Sequence, residues 1–256
     1  MDNVFVIDAG NSAVKWASSN SEGLSVMQSL SYPEIITADF LIDEWKSLDK
    51  PINVIASCVA SETIWQALTK ACDELWDIEI RRVTSLEKGY GLTNAYDKAS
   101  DLGGDRWCAM LGVLHTTGSA FIVVDVGSAI TIDMVDESGQ HMGGHILPGL
   151  KMMKQSLGLQ TAQVNVAMDQ NLTPSLSLGN TTAECVASGI YLSAVKLIEA
   201  VFEKESKQVK RLECYLTGGD AKLIADLLSF KCVIMPDAVL RGLAVIATND
   251  LKNNKG

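Results

Sequence analysis

The segment VFVIDAGNSAVKW, residues 4–16, places an aspartate and a glycine between an apolar run and a second strand-like run. The same order returns at residues 121–133, FIVVDVGSAITID. In each copy the aspartate, Asp8 or Asp125, is followed two positions later by glycine. Apolar runs that flank a glycine turn predict a β-hairpin in both places. Because the two copies open the two halves of a 256-residue chain, we predict two subdomains, residues 1–117 and 118–256.

The composition excludes several classes of protein. A balance of 21 basic against 31 acidic residues gives a net charge of −10, whereas a nucleic-acid surface needs clustered lysine and arginine. No run approaches the roughly 18 apolar residues that cross a bilayer, and the first residues lack the basic region of a signal peptide. Six scattered cysteines without a CxxC pair indicate reduced, mostly buried thiols. We therefore expect a cytoplasmic protein with no nucleic-acid or membrane partner.

Strands that alternate with helices along the chain predict an α/β fold. Ser61 offers an N-cap to a helix that runs to Trp76. Residues 89–105 have the composition of a functional loop, and a helix is predicted after Asp105. Residues 142–150, MGGHILPGL, are interpreted as a glycine-rich loop, and the longest helix is expected over residues 183–204.

Glycine turns after strands carry the chemistry that the sequence suggests. Glycine lets the backbone approach a ligand, so that successive N–H groups form a cradle for an anion. The aspartate at the strand end adds a carboxylate for Mg²⁺ or its waters. The GxxxxGK[ST] and GxGxxG phosphate motifs are absent. One such turn would equally suit an ordinary hairpin, but two copies and a third turn, TGGD at 217–220, predict a site for a magnesium-bound triphosphate.

The duplicated turns resemble those of the acetate and sugar kinase, actin and heat-shock ATPase superfamily. The segments DAGNSAVKW, NAYDKASDLGGDRWCAM, DVGSAITID, GGHILPGL, NTTAECVASG and LTGGDA resemble, in order and spacing, the type III pantothenate kinases, over about residues 3–247. This resemblance implies two ribonuclease-H-like (actin-like ATPase) subdomains with a nucleotide cleft between them. It also implies an enzyme that uses ATP to phosphorylate pantothenate to 4'-phosphopantothenate, the first step of coenzyme A biosynthesis.

The resemblance assigns roles to individual residues. Asp105 is implied to accept the proton of the pantothenate hydroxyl, and Asp125 to hold a monovalent cation, K⁺ or NH₄⁺, in addition to Mg²⁺. Ser128 is implied to contact ATP in place of the family's threonine. A homodimer is also implied. The implied ATP contacts of the first turn are Asp8, Ala9, Gly10, Asn11, Ser12, Ala13, Val14 and Lys15. The implied pantothenate contacts are Tyr96, Gly103, Gly104, Asp105, Arg106 and Thr182, with Thr181 as an alternative to Thr182.

Several alternatives stay open at this level. The chain could be a superfamily kinase for another small alcohol or acid, or a non-catalytic nucleotide-binding regulator. Asp105 could be a helix N-cap with Arg106 as its surface partner. His141 and His145 have the spacing of a metal pair, although the glycines between them favour loop histidines. The apolar stripe from Val186 to Val201 suits a core or a dimer face.

Overall fold

A computed structural model describes residues 3–32, 36–160 and 173–253. Two compact units are present. The first comprises the described residues up to Thr117 together with those from Asp237 onward, and the second comprises the described residues of Gly118–Pro236. Each unit contains a mixed β-sheet with helices packed on it.

The elements follow one another in an α/β order. The strands are β1 Val4–Ala9, β2 Ala13–Asn20, β3 Gly23–Leu24, β4 Gln28–Ser31, β5 Asn53–Cys58, β6 Arg81–Arg82, β7 Lys88–Gly89, β8 Leu92–Thr93, β9 Ala120–Val126, β10 Ala129–Val135, β11 His141–Pro148, β12 Leu212–Thr217 and β13 Val233–Ile234. The helices are α1 Ala38–Trp45, α2 Glu62–Trp76, α3 Gly104–Leu114, α4 Leu150–Gln160, α5 Thr182–Ser206, α6 Ala221–Ala225 and α7 Ala238–Asn253, with a 3₁₀ turn at Ala99–Asp101.

The sheet of the first unit has the strand order β3-β2-β1-β5-β6, and β4 also pairs with β2. β1 runs antiparallel to β2 and parallel to β5, and β6 runs parallel to β5. Alternate residues of β1 pack into a core with α1 and α2, where the Phe5 ring meets the Trp45 and Trp76 rings edge to face. The carboxyl ends of the three parallel strands therefore share one edge, which is the usual place for a ligand in an α/β sheet.

Helix α7 belongs to the first unit, whereas the sequence analysis assigned residues 118–256 to the second subdomain. Close packing against α3 explains the difference. A Cβ atom on Gly242 would lie 1.9 Å from the carbonyl oxygen of Cys108, and one on Gly112 would lie 2.1 Å from that of Ala238. The two helix backbones are in contact at these glycines. This contact makes α7 part of the first unit, although its residues follow those of the second unit in the chain.

The sheet of the second unit has the order β11-β10-β9-β12-β13. β9 runs antiparallel to β10 and parallel to β12, and β12 runs parallel to β13. This arrangement repeats β2-β1-β5-β6 of the first unit. The duplicated aspartates thus end corresponding strands, β1 and β9.

The prediction of a glycine-rich loop over residues 142–150 is wrong, because most of this segment is strand β11. It pairs antiparallel with β10, with a shift of register between Met134 and Val135. Gly143 has a φ of +104°, a conformation that glycine adopts without strain, and it absorbs that shift. The β-bulge therefore lies at Met142 and Gly143, whereas Gly144 pairs regularly with Asp133.

Three further expectations can be compared with the structure. Helix α2 begins after Ser61 as predicted, although the Ser61 side chain makes no capping hydrogen bond. All six cysteines are free, and Cys58, Cys72, Cys108 and Cys214 are buried. Burial raises the pKa of the Cys72 thiol to about 12, which is consistent with an inert, protonated thiol.

Helix α5 differs from the expectation that no segment could cross a membrane. It has 25 residues and is, among the described residues, the one helix long and apolar enough to do so by length and composition. Ile190, Ala194 and Ile198 on one of its faces are buried against the sheet of the second unit. One face of the helix is therefore held by the sheet of its own unit, as in an amphipathic helix of a globular protein.

Candidate active site

The first phosphate turn is the tip of the β1–β2 hairpin. The Gly10 N–H donates to the Ala13 carbonyl oxygen at 3.1 Å and closes the turn, which leaves Asn11 and Ser12 exposed. Lys15 lies directly opposite Asp8 on β2, so both side chains lie on the same face of the sheet. The eight residues predicted to contact ATP, Asp8 to Lys15, thus form one continuous hairpin tip.

Asp105 lies in the first turn of α3. Gly103 is the N-cap residue, so the alternative in which Asp105 caps the helix is wrong. The Asp105 carboxylate accepts a hydrogen bond from the Arg106 backbone N–H at 2.8 Å. A Cβ atom on Gly103 would lie 2.5 Å from Asp105 Oδ1, and one on Gly104 would lie 2.8 Å from the Val83 carbonyl oxygen. Glycine at 103 therefore leaves room for the carboxylate beside the start of the helix, and glycine at 104 lets the helix start approach the backbone at Val83.

Arg106 is buried, so the alternative in which it is a surface partner of Asp105 is wrong. Its Nη1 donates to the Tyr96 hydroxyl at 2.8 Å. The guanidinium carbon also lies 5.6 Å from the centre of the Tyr96 ring, within cation–π range. The structure thus brings together two of the predicted substrate contacts as one unit, with the tyrosine fixing the position of the guanidinium group.

Asn94 stabilises the loop of residues 89–105 through hydrogen bonds of its side chain, a role that the sequence analysis missed. Its side-chain amide donates to the carbonyl oxygens of Leu86, at 3.2 Å, and Ala99, at 3.3 Å. Its Oδ1 accepts from the Tyr96 backbone N–H at 3.0 Å. Asn94 is the first residue of the NAYDKASDLGGDR segment, which the sequence analysis singled out, so its position was a signal of a role. The sequence alone did not show that its side chain points inward.

Asp8 and Asp105 both raise the pKa of the buried Cys108 thiol. Burial raises the pKa of this thiol well above its ordinary value, and the negative charges of Asp8 and then Asp105 raise it further. Charges act strongly only over short distances in proteins. The geometry agrees with this, because Ser57 of β5 is in register with Asp8 and a Cβ atom on Gly104 would lie 3.8 Å from Ser57 Oγ. The predicted phosphate turn and the predicted proton acceptor therefore lie at the same carboxyl edge of the first unit's sheet.

The second phosphate turn is one residue shorter than the first. The Gly127 N–H donates to the Ala129 carbonyl oxygen at 3.0 Å. Gly149, which follows β11, supports this turn through an N–H donated to the Ser128 carbonyl oxygen at 3.0 Å. A Cβ atom at position 149 would lie 2.3 Å from the Gly127 oxygen. The sequence analysis gave Gly149 no role, although it quoted the segment that contains it.

Asp125 ends β9 against the third glycine turn. A Cβ atom on Gly218, whose φ is +93°, would lie 2.4 Å from Asp125 Oδ1 and 2.5 Å from the Val126 carbonyl oxygen. The Asp220 N–H donates to that same carbonyl oxygen at 3.0 Å. Glycine at 218 thus leaves room for a carboxylate beside a backbone carbonyl, an oxygen-rich environment of the kind that a hard cation prefers.

Thr181 and Thr182 differ in what their side chains do. Thr181 Oγ1 accepts from the Glu184 N–H at 3.2 Å, and the Glu184 carboxylate accepts from the Thr181 N–H at 3.1 Å, which completes a capping box. Thr182 lines a groove between α4 and α5. The capping role of Thr181 favours Thr182 as the threonine that presents its hydroxyl to a ligand.

The two histidines of β11 do not form a metal pair. His141 is buried, and its Nε2 lies 3.0 Å from Asp133 Oδ1, whereas His145 is exposed. Over residues 3–32, 36–160 and 173–253, no three His, Cys, Asp or Glu side chains are grouped as metal ligands. His141 is therefore a structural residue of the sheet, not a loop histidine.

Comparison with known proteins shows the family. Residues 4–204 match the family model described as type III pantothenate kinase. The chain is 32% identical over 255 residues to the type III pantothenate kinase of Nitrosococcus oceani, covering 97% of this chain and 95% of that protein. It is 33% identical over 249 residues to the Azoarcus sp. enzyme of the same name, covering 96% and 91% respectively.

Solved structures agree on the fold. A putative 2-dehydro-3-deoxygalactonokinase from Sinorhizobium meliloti superposes with a TM-score of 0.64 at 13% identity, covering 96% of this chain and 98% of that one. A conserved putative Baf family transcriptional activator from Campylobacter jejuni gives a TM-score of 0.61 at 21% identity, with 96% and 98% coverage. MreB 5 of Spiroplasma citri gives 0.52 at 12% identity, with 100% and 98% coverage. The α/β fold is thus that of the actin-like and sugar-kinase ATPases.

The family model and the curated relatives describe a kinase, so the enzyme interpretation is confirmed over that of a non-catalytic regulator. They also name the acceptor, which separates this chain from kinases for other small alcohols or acids. The chain belongs to the type III pantothenate kinase family, the enzymes that phosphorylate pantothenate with ATP in coenzyme A biosynthesis.

Proposed function

We propose that the Asp8 hairpin binds the phosphates of ATP and that Asp105 accepts the proton of the pantothenate hydroxyl. The observation that carries this proposal is that Ser57 of β5 is in register with Asp8, while a Cβ atom on Gly104, the neighbour of Asp105, would lie 3.8 Å from Ser57 Oγ. A phosphate turn and an acceptor carboxylate near one point are what in-line phosphoryl transfer requires, because that reaction depends on alignment and charge neutralisation.

Each part of the hairpin has a chemical task in this proposal. The N–H groups of the exposed tip, at Asn11 and Ser12, and the Lys15 ammonium neutralise the phosphate oxygens. The Asp8 carboxylate holds Mg²⁺ or its waters, and the ion supplies further charge neutralisation when bound. Asp105 orients the hydroxyl and takes up its proton as the hydroxyl oxygen bonds to the γ-phosphorus, while the bond from that phosphorus to the β,γ-bridging oxygen breaks and ADP leaves.

In this proposal the loop of residues 89–105, together with the start of α3, binds pantothenate. The Arg106 guanidinium provides a positive charge for the pantothenate carboxylate, and Tyr96 keeps that guanidinium in place through its hydroxyl and its ring. Backbone at Gly103 and Gly104 lies beside the Asp105 carboxylate, where the absence of side chains permits close approach. From the second unit, Ser128 is proposed to contact ATP, Thr182 to contact pantothenate, and Asp125 to hold the monovalent cation.

The proposed cation site gives the first prediction. ADP release should depend on pantothenate and should be about tenfold or more faster with K⁺ or NH₄⁺ than with Na⁺, the lower end of the loss of about 10–100-fold that follows when the support of a metal site is disturbed. Asp125→Asn should abolish the difference between the cations, since the amide has lost the charge that binds the ion. A coupled ADP-release assay measures both effects.

Asp226→Asn is the matched control for this experiment, because Asp226 is an exposed aspartate of the same unit that pairs with Lys222. It should keep the cation dependence of the unaltered protein. Equal rates in K⁺ and Na⁺ would contradict the role of Asp125. ADP release that does not require pantothenate would contradict the proposed acceptor.

We also propose that the chain is a homodimer through the groove between α4 and α5. This groove has a volume of about 440 Å³ and is lined in part by Met153, Val186 and Ile190. Only 22% of the residues in the most apolar 18-residue window of α5 are buried within the chain, and Leu157, which lines the groove, is 39% exposed. A second copy would cover this apolar surface and would leave a cytoplasmic protein without a membrane-binding face.

Leu157→Glu should therefore convert a dimer into a monomer, because Leu157 lines the groove and the substitution places a charge on the apolar face of each copy. The side chain is exposed within one chain, so the fold of the monomer should be retained. Sedimentation velocity measures the mass, and circular dichroism measures the fold. Val26→Glu, at an exposed apolar residue of the first unit, should leave the mass unchanged. An unaltered protein that sediments as a monomer would contradict the proposal.

A further inference from the structure

Ser57 has a buried hydroxyl group without a partner. The residue is 0% exposed, and among the described residues its Oγ makes no hydrogen bond. Burial of an unpaired hydroxyl is unfavourable, whereas alanine would fit the same strand without this cost. A serine at this position therefore indicates that the hydroxyl acquires a partner in some other state of the protein.

The position of Ser57 points to that partner. Ser57 is in register with Asp8 on the neighbouring parallel strand, so the two side chains lie on the same face of the sheet. Adjacent strands are separated by about 4.8 Å, and a small side-chain movement then suffices for a hydrogen bond. A Cβ atom on Gly104 would lie 3.8 Å from Ser57 Oγ, so the hydroxyl also lies below the turn that carries Asp105.

The second unit repeats this arrangement. Thr217 is in register with Asp125 on the parallel strand next to β9. It is 1% exposed, and it occupies the place in β12 that Ser57 occupies in β5. Asp8 and Asp125 thus each have a buried residue with a hydroxyl group beside them. If the fold needed only a small side chain at these two positions, an apolar residue would serve equally well, so the hydroxyl groups call for another explanation.

We propose that Ser57 is a positioning residue for Asp8, and that its hydroxyl donates a hydrogen bond to the Asp8 carboxylate when magnesium nucleotide is bound. This inference rests on the proposed role of the Asp8 hairpin. A carboxylate that binds a metal or its waters with one oxygen is commonly held by a hydrogen bond to the other, and loss of that bond weakens metal binding. The donor would thus fix the orientation that Asp8 needs.

Ser57→Ala tests the proposal by two measurements that do not depend on turnover. Calorimetry with a non-hydrolysable ATP analogue should show binding in Mg²⁺ about tenfold weaker than that of the unaltered protein. The thermal midpoint of the protein without ligand should be unchanged or higher, because the unpaired hydroxyl has been removed. Ser57→Thr keeps a hydroxyl, as Thr217 does in the second unit, and should restore most of the affinity.

Ser85→Ala is the matched control for stability, because the buried Ser85 hydroxyl donates to the Leu102 carbonyl oxygen. Its thermal midpoint should fall. If the midpoint of Ser57→Ala also falls while its nucleotide affinity stays unchanged, the hydroxyl has a structural role and the inference is overturned. If the thermal midpoint and the nucleotide affinity of Ser57→Ala both equal those of the unaltered protein, Ser57 does not position Asp8. The proposed role of the Asp8 hairpin is not affected by that result. An unaltered protein that binds no magnesium nucleotide would overturn the proposed function as well.

Discussion

Asp105→Asn is expected to reduce kcat by about 10²–10⁴-fold, the usual contribution of a positioned acid or base. The amide keeps the size of the carboxylate and can still accept a hydrogen bond from the Arg106 N–H. It cannot take up the hydroxyl proton, so the loss should appear in kcat and much less in the KM for ATP. Steady-state ADP release and calorimetry with an ATP analogue measure the two quantities separately.

Asp101→Asn provides the control for this change. Asp101 lies four residues earlier, in the 3₁₀ turn, and its exposed carboxylate pairs with Lys98 at 3.1 Å. Its removal should change kcat by less than about twofold, because an exposed ion pair contributes little. Turnover of Asp105→Asn at the rate of the unaltered protein would exclude Asp105 as the proton acceptor. A loss of ATP binding equal to the loss of kcat would instead place Asp105 in the nucleotide site.

Gly242→Ala is expected to lower the free energy of unfolding by about 1–3 kcal/mol or more, the cost of overpacking a well-packed interior. The added methyl group would lie 1.9 Å from the Cys108 carbonyl oxygen and 2.6 Å from its carbonyl carbon. Both atoms are backbone, so relief requires α3 and α7 to move apart. Asp105 lies in the first turn of α3, and activity should therefore fall along with stability. Urea denaturation, followed by circular dichroism, measures the change.

Gly118→Ala is the control, because a Cβ atom there would have no heavy atom within 4 Å. It should change the free energy of unfolding by less than about 0.5 kcal/mol, as is usual for surface substitutions. Gly112→Ala, which would approach the Ala238 carbonyl oxygen on the same helix pair, should behave like Gly242→Ala. Equal denaturation midpoints for Gly242→Ala and Gly118→Ala would contradict the close packing of these two helices.

The hairpins of the two halves were predictable because their signals are local. An apolar run, an aspartate and a glycine lie within a few residues of one another, and the hydrogen bonds of Gly10 and Gly127 close their turns over two or three residues. The family resemblance was also carried by short segments, and the family model confirms it over residues 4–204. The roles of individual site residues and the cleft between the subdomains stay predictions.

The errors arose where a segment depends on a distant partner. The glycines of residues 142–150 suggested a loop because their effect on the backbone was considered without β10, whose hydrogen bonds make this segment a strand. The alternative that put Arg106 on the surface as a partner of an Asp105 N-cap fails for the same reason, because the Tyr96 hydroxyl pairs with the arginine in the interior. Neither partner is identified by the spacing of residues along the chain.

The sequence by itself determined the two acidic hairpins, the α/β class and the family, since turn chemistry and strand periodicity act between residues that are close in the chain. Only the tertiary structure decided that α7 packs on α3, that Ser57 lies beside Asp8, and that Ser57 also lies close to Gly104, the neighbour of Asp105. The physical reason is that these arrangements depend on strand register and on close packing between segments far apart in sequence, which local patterns do not specify.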